Sequence, residues 1–141
     1  IFFSKQHESQ VITAFNMFKD SPIIGIGPNN YRNLCDKSDY FHNKYSCSTH
    51  PHNTYAQLLA ETGIIGFLFL ISSIIFLLKE FMYIKFYKYQ KSLHDDYKLC
   101  LMLAILLTLW PFIPSLNFFN NWINIIYFLP LGFFLHIYHS K

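Results

Sequence analysis

Three apolar runs fill the second half of the chain, and a polar first part precedes them. The first run, GIIGFLFLISSIIFLL, begins at Gly63 and meets no charge before Lys79 and Glu80. A helix over 63–84 would be about 33 Å long at 1.5 Å per residue, enough for a hydrocarbon core of about 30 Å. The second run, 99–119, carries Pro111 and Pro114, which remove backbone donors and should kink or end its helix near one end. The third, 122–138, starts with an interfacial Trp and closes on Tyr and His. Ahead of them, residues 5–20 place Val11, Ala14, Phe15 and Phe18 at helical spacing, the pattern of an amphipathic helix lying on a membrane surface or against other spans. The expected fold is all-α: multi-pass transmembrane helices with an extramembrane loop that contains an amphipathic helix. A buried helix of a soluble protein is the rival reading of one such run, and the repetition of the pattern counts against it.

Charge placement orients the spans. Lys79, Lys85, Lys88, Lys91 and Lys98 crowd the stretch between the first two runs, as in a cytoplasmic loop under the positive-inside rule. The expected order is therefore an outer segment 1–62, span 63–84, inner basic loop 85–98, span 99–119, outer turn 120–121, span 122–138 and inner tail 139–141. Asn117, Asn120, Asn121 and Asn124 suit a tight outer turn. Composition agrees, with 52% hydrophobic and 20% aromatic residues against 13% charged, about half the charged share of an ordinary soluble domain. The net charge of +3 is spread along the chain, so the electrostatic footprint of a nucleic-acid binder is missing. Ile1 begins neither an initiator Met nor a signal-peptide pattern, and the chain reads as the C-terminal part of a longer one.

The outer segment holds the chemistry. In SPIIGIGPNNYR, Pro22 should stop the amphipathic helix, while Gly25 and Gly27 with Pro28 make a stiff structural turn. No strand and no helix-opening third glycine accompany them, so this is not a phosphate cradle. Arg32 is the only arginine. Its planar fork suits bidentate phosphate binding, and a surface ion pair with Asp36 or Asp39 accounts for it equally well. Cys35 and Cys47 lie on the outer side, where a disulfide is expected. The rival is a metal site from His42, Cys47, His50 and His52, whose spacing matches no standard finger.

The stretch STHPHNTYAQLLAETG, 48–63, runs into the first span. With Pro51 in the first turn of a helix, Asn53, Gln57 and Glu61 recur every four residues beside His50 and Thr54, giving a polar stripe between Tyr55, Leu58, Leu59 and Ile65. Two histidines with a carboxylate nearby form proton-handling chemistry near neutral pH.

DSPIIGIGPNNYR followed by HPHNTYAQLLAETGIIGF resembles the O-antigen ligase and O-antigen polymerase family of bacterial membrane glycosyltransferases, with its P-x-x-G-x-G-x-x-x-[FY] turn and its H-x-H-N helix entering a span. The segment from Trp110 to Leu135 is similar to the tail of that family. The resemblance implies transfer of a glycan, without metal or other cofactor, from an undecaprenyl-diphosphate carrier to an acceptor hydroxyl on lipid A-core, another glycan or a protein. It also implies the periplasmic face of the bacterial inner membrane. The family's helix histidine falls on His52, with His50 preceding it, and the turn glycines fall on Gly25 and Gly27. His52 would be the base, with Asn53, Gln57 and Glu61 holding sugar hydroxyls or the helix end. Many members carry an arginine near the start of the amphipathic helix where this chain has KQHES, so Lys5 or His7 would serve there and Arg32 would share the phosphate contact. A transporter or channel with a His50, His52 and Glu61 proton relay is the alternative, and the run interiors hold essentially no ionisable groups for it. A purely structural membrane protein would leave the HPHN cluster without a reason.

Overall fold

The computed structural model describes residues 4–88 and 92–139, so Lys91 of the basic loop and the end of the inner tail lie outside the described residues. Among those described, every regular element is helical: α1 (Lys5–Asp20), α2 (Tyr31–Leu34), α3 (Thr54–Met82) leading into a π-helical turn (Tyr83–Tyr87), α4 (Leu93–Thr108) and α5 (Asn121–His139). Two helices, Thr54–Tyr87 and Asn121–His139, are long and apolar enough to cross a membrane. The chain divides into two compact units, Ile1–Phe69 with Pro111–Asn120, and Leu70–Trp110 with Asn121–Lys141.

In the first unit, Ser4 caps α1 by accepting a hydrogen bond from the His7 N–H at 3.3 Å. The helix buries Ser9, Gln10, Thr13, Ala14 and Met17, a stripe at 10, 13, 14 and 17 that follows helical spacing. Of the expected apolar face, Ala14 is buried and Phe15 is 47% exposed. Gln10 and Met17 on that inner stripe are among the largest fully buried side chains. Tyr31, fully buried, joins the parts: its hydroxyl donates to the Ser46 carbonyl at 2.7 Å and lies 3.2 Å from the Gln10 carbonyl. Cys35 and Cys47 are disulfide-bonded, with Cα atoms 5.1 Å apart, closing the loop that carries Ser46.

The glycine turn is built into a break in α3. At Gly63, φ is 64° and ψ is −162°, and the helix is interrupted. An unbroken helix would bond the N–H groups of Ile64 and Ile65 to the carbonyls of Ala60 and Glu61. Here those N–H groups donate to Pro22 and Ile23 at 2.9 and 3.4 Å, while the two carbonyls accept from Ile26 and Gly27 at 2.9 and 3.0 Å. The turn thus replaces these two lost helical bonds, and all four backbone groups are paired. Gly25 and Gly63 both have positive φ, and a Cβ on either would strike backbone, that of Glu61 and Thr62 in one case and of Ile23 in the other.

In the second unit, Leu77, Ile84, Met102, Ile105, Tyr127 and Phe134 are buried, and the rings of Phe76, Phe134 and Tyr138 meet at centroid distances of 5.7 to 6.2 Å. Most other large side chains face outward, as suits a lipid-facing surface. A capping box of Ser92 and Asp95 starts α4, and Lys88 pairs with Asp95 at 2.6 Å. The helix expected over 99–119 instead runs from Leu93 to Thr108. Pro111 disfavours helical backbone at Trp110, and the chain leaves the helix there. The stretch 111–120, expected to be the end of a span and a turn, is an irregular loop that belongs to the first unit.

Candidate functional site

The histidine segment is not the first turn of a helix. α3 starts at Thr54, and Asn53 is its cap: Asn53 Oδ1 accepts from the Ala56 N–H at 3.0 Å and Nδ2 donates to the Pro111 carbonyl at 3.1 Å. Before it, His52 takes a left-handed conformation with φ at 52°, uncommon for a non-glycine residue. The His52 carbonyl accepts from the Ser115 N–H at 2.9 Å, so the 111–120 loop holds this bend from one side.

That bend brings the rings of His50 and His52 to 4.1 Å between centroids and of His52 and His7 to 5.8 Å. His50 is buried. Its Nε2 lies 3.1 Å from the Ser115 carbonyl, which can only accept, so Nε2 carries the proton and Nδ1 accepts from the Thr49 hydroxyl at 2.9 Å. Both ring nitrogens of His50 are thus engaged by protein groups. The Nε2 of His52 sits 3.2 Å from the Ser48 hydroxyl. Burial first, and then the nearby His7, push the His52 imidazole below its ordinary pKa of 6.5, against a backbone hydrogen bond involving Ser115. Burial likewise lowers His50, opposed by its Ser115 bond and reinforced by His52. Both rings are thus held neutral near physiological pH.

His52 lines a partly open cavity of about 510 Å³. His7, Glu8, His52 and Asn53 supply its polar groups, and Val11, Ile12 and the Pro111–Pro114 stretch supply the apolar wall. Such a space admits a ligand with a charged or hydroxylated end and a greasy body.

Several expected contacts lie elsewhere. Gln57 is buried with its amide spent on protein: Nε2 donates to Glu61 and Asn117 at 3.0 and 2.7 Å, and Oε1 accepts from the Phe118 N–H at 3.0 Å. Glu61, 1% exposed, accepts from the Tyr31 N–H at 2.9 Å. Gln57 and Glu61 thus face protein partners in this structure, while Asn53 both caps α3 and lines the cavity. Arg32 is exposed, makes no ion pair with Asp36 or Asp39 among the described residues, and does not line the His52 cavity. Lys5 is exposed and lines a neighbouring pocket. Gly25 and Gly27 form the turn, with φ at 71° and 97°. Cys47 is tied up in the disulfide and cannot join the metal set with His42, His50 and His52. Among the described residues no group of three His, Cys, Asp or Glu side chains is arranged to hold a metal ion.

Sequence reading missed Glu8, Asn29 and the 111–120 loop. Glu8 follows His7 directly, and its place beside that histidine was the available signal. Asn29, in left-handed backbone at φ 60°, accepts from Asn117 Nδ2 at 3.2 Å, so Asn117 is a contact in the site and not only a turn residue.

Residues 8–71 fit the family model described as O-Antigen ligase. No curated protein and no solved structure matches the chain. The matched segment contains the turn, the disulfide loop, the HPHN bend and the first part of α3, the same residues on which the motif resemblance rests.

Proposed function

We propose, from the O-Antigen ligase match and the geometry around His52, that this chain forms the reaction site of a membrane glycosyltransferase. The reaction moves a glycan from an undecaprenyl-diphosphate carrier to an acceptor hydroxyl at the periplasmic face of the inner membrane. The acceptor is lipid A-core, another glycan or a protein. The observation that carries this reading is the position of His52: in the family-matched segment, held neutral, at a cavity with one polar and one apolar side.

The neutral imidazole of His52 takes the proton of the acceptor hydroxyl as its oxygen attacks the anomeric carbon. The new C–O bond forms while the bond from that carbon to the diphosphate oxygen breaks, and the diphosphate leaves with the electron pair. Attack opposite the leaving group inverts the anomeric configuration, and no step calls on a metal. His50 and Ser48 fix the base, and the bend held by Ser115 aims it. Developing charge on the diphosphate falls to His7, which lines the cavity, and the apolar wall of Ile12 and the Pro111–Pro114 loop suits the prenyl chain. Arg32 does not line that cavity, and a phosphate contact from it would have to lie outside it.

The test is transfer from a lipid-linked oligosaccharide by the full-length protein in chelator-treated membranes. His52→Ala should lower the rate by about 10²- to 10⁴-fold with the protein still in the membrane. Undiminished transfer by that variant would remove histidine from the mechanism, and a loss on chelation reversed by zinc would make the cluster a metal site.

A further inference from the structure

A second pocket, of about 250 Å³, adjoins the first across a single residue. It is lined by Lys5, Glu8 and Ser9 of α1 and by His42, Asn43 and Tyr45 of the disulfide-closed loop, and Glu8 lines both spaces. The two differ in chemistry. The residues around the His52 cavity are mostly apolar, whereas each of the six around this pocket carries a polar group, although the carbon parts of those side chains still make up most of its lining. The Asn43 amide is oriented from within: its Oδ1 accepts from the Ser9 hydroxyl and from the Tyr45 N–H, both at 2.8 Å, which leaves Nδ2 to donate to a ligand. The loop itself is pinned by Ser46, whose Oγ accepts from the N–H groups of His42 and Asn43 at 2.9 Å.

We propose that this pocket is a saccharide subsite that seats one pyranose ring of the glycan beside the reacting centre. It rests on the transfer reading above and specifies where the sugar sits. A sugar ring offers hydroxyls that both donate and accept around its edge, and a C–H face. Glu8 accepts only, Lys5 and the free Asn43 amide hydrogens donate, His42 can do either, and Tyr45, which holds the Lys44 Nζ 5.1 Å from its ring centroid, supplies an aromatic ring. No arginine fork for a phosphate stands among the lining residues. The disulfide then has a purpose in binding: it holds the loop that carries three of the six lining residues.

The experiment compares full-length wild type with Tyr45→Ala, Tyr45→Phe and Lys5→Ala, with Lys37→Ala as an exposed control on the same loop. Tyr45 is 39% exposed, so its loss leaves the fold intact. Retention on a microarray of bacterial surface polysaccharides should weaken about tenfold in Tyr45→Ala and in Lys5→Ala and persist in Tyr45→Phe. In the transfer assay KM should rise by about the same factor with kcat little changed. A rise confined to the lipid-linked donor seats the donor's sugar here, and one confined to the acceptor seats the acceptor's. Retention and both KM values unchanged in Tyr45→Ala, with wild type transferring normally, overturn the subsite and leave the transfer reading standing. Tyr45-dependent retention by a protein that transfers nothing supports the subsite and overturns the transfer reading. A wild type that retains no polysaccharide above the Tyr45→Ala level overturns the subsite.

Discussion

The two units of this chain are held together by different forces. In the first, directional polar contacts converge on a few buried side chains: Tyr31 ties together α1, the disulfide loop and Glu61, and Gln57 ties α3 to the 111–120 loop. In the second, apolar packing of α3, α4 and α5 dominates, and the described ion pair, Lys88 with Asp95, sits at the start of α4. Hydrogen bonds specify position, since a donor and acceptor tolerate little displacement. Apolar contact is non-directional and tolerates exchange of similar volumes. A reacting centre needs its groups within fractions of an ångström, and in this protein the candidate centre stands in the unit built from directional contacts.

Glycine substitution breaks that comparison open most sharply. Gly63→Ala would put a Cβ into the Ile23 carbonyl at a left-handed residue, and should unseat the glycine turn, lower the thermal midpoint and abolish transfer. Gly132→Ala in α5 meets nothing within 4 Å, and should leave the midpoint unchanged or raise it, since alanine favours a helix by about 1 kcal/mol over glycine. Thermal unfolding of the two variants in detergent reads both effects. Equal midpoints would mean that the break in α3 is not under the constraint described.

Reducing the disulfide comes next. A loop of this length contributes about 3 kcal/mol in the chain-entropy account, so Cys35→Ser with Cys47→Ser should loosen the first unit and raise proteolytic cleavage between 35 and 47. Cys100→Ser, at an exposed position of α4, should change neither. Cleavage rates equal across these variants would remove the disulfide from the support of the site.

Acid gives the finest discrimination. His50 and His52 have folded pKa values below 6.5, so the unfolded chain binds protons first as pH falls. Their contribution to stability is complete above 6.5 and is lost as pH drops from there through the lowered folded values. Transfer, which needs neutral His52, should likewise fade only below pH 6.5. His7→Gln removes a like charge and should move that acid limb upward. In the second unit, burial works to raise the Asp95 pKa, yet the bonds from Lys88 and Ser92 prevail and hold it at about 2. Its contribution is present above the ordinary 3.8 and is lost only as pH falls from there toward 2. A pH series of hydrogen exchange should therefore show the first unit opening before the second. Opening in the reverse order would contradict the neutral histidines.

Periodicity and charge alone determined that the chain is helical, that α1 begins at Lys5 and that a greasy helix follows Gly63. Local rules suffice for these, because a helix face, a proline stop and a capping residue are set by neighbours a few positions apart. Pro22-x-x-Gly25-x-Gly27 and the later Tyr31 were legible as a motif, but the motif's purpose was not. Its N–H groups complete a helix interrupted more than thirty residues later, and nothing local to the turn announces that partner. The same limit applies to the site. His52 was legible as a histidine next to another, yet its left-handed bend and its apolar wall depend on Ser115 and Pro111–Pro114, which pattern alone assigned to a span. Gln57 and Glu61 looked like ligand-binding groups because a polar stripe on a helix reads the same whether it faces a substrate or a buried partner. Only the tertiary structure decided between those, since burial removes water as an alternative partner and makes every such group find one within the protein.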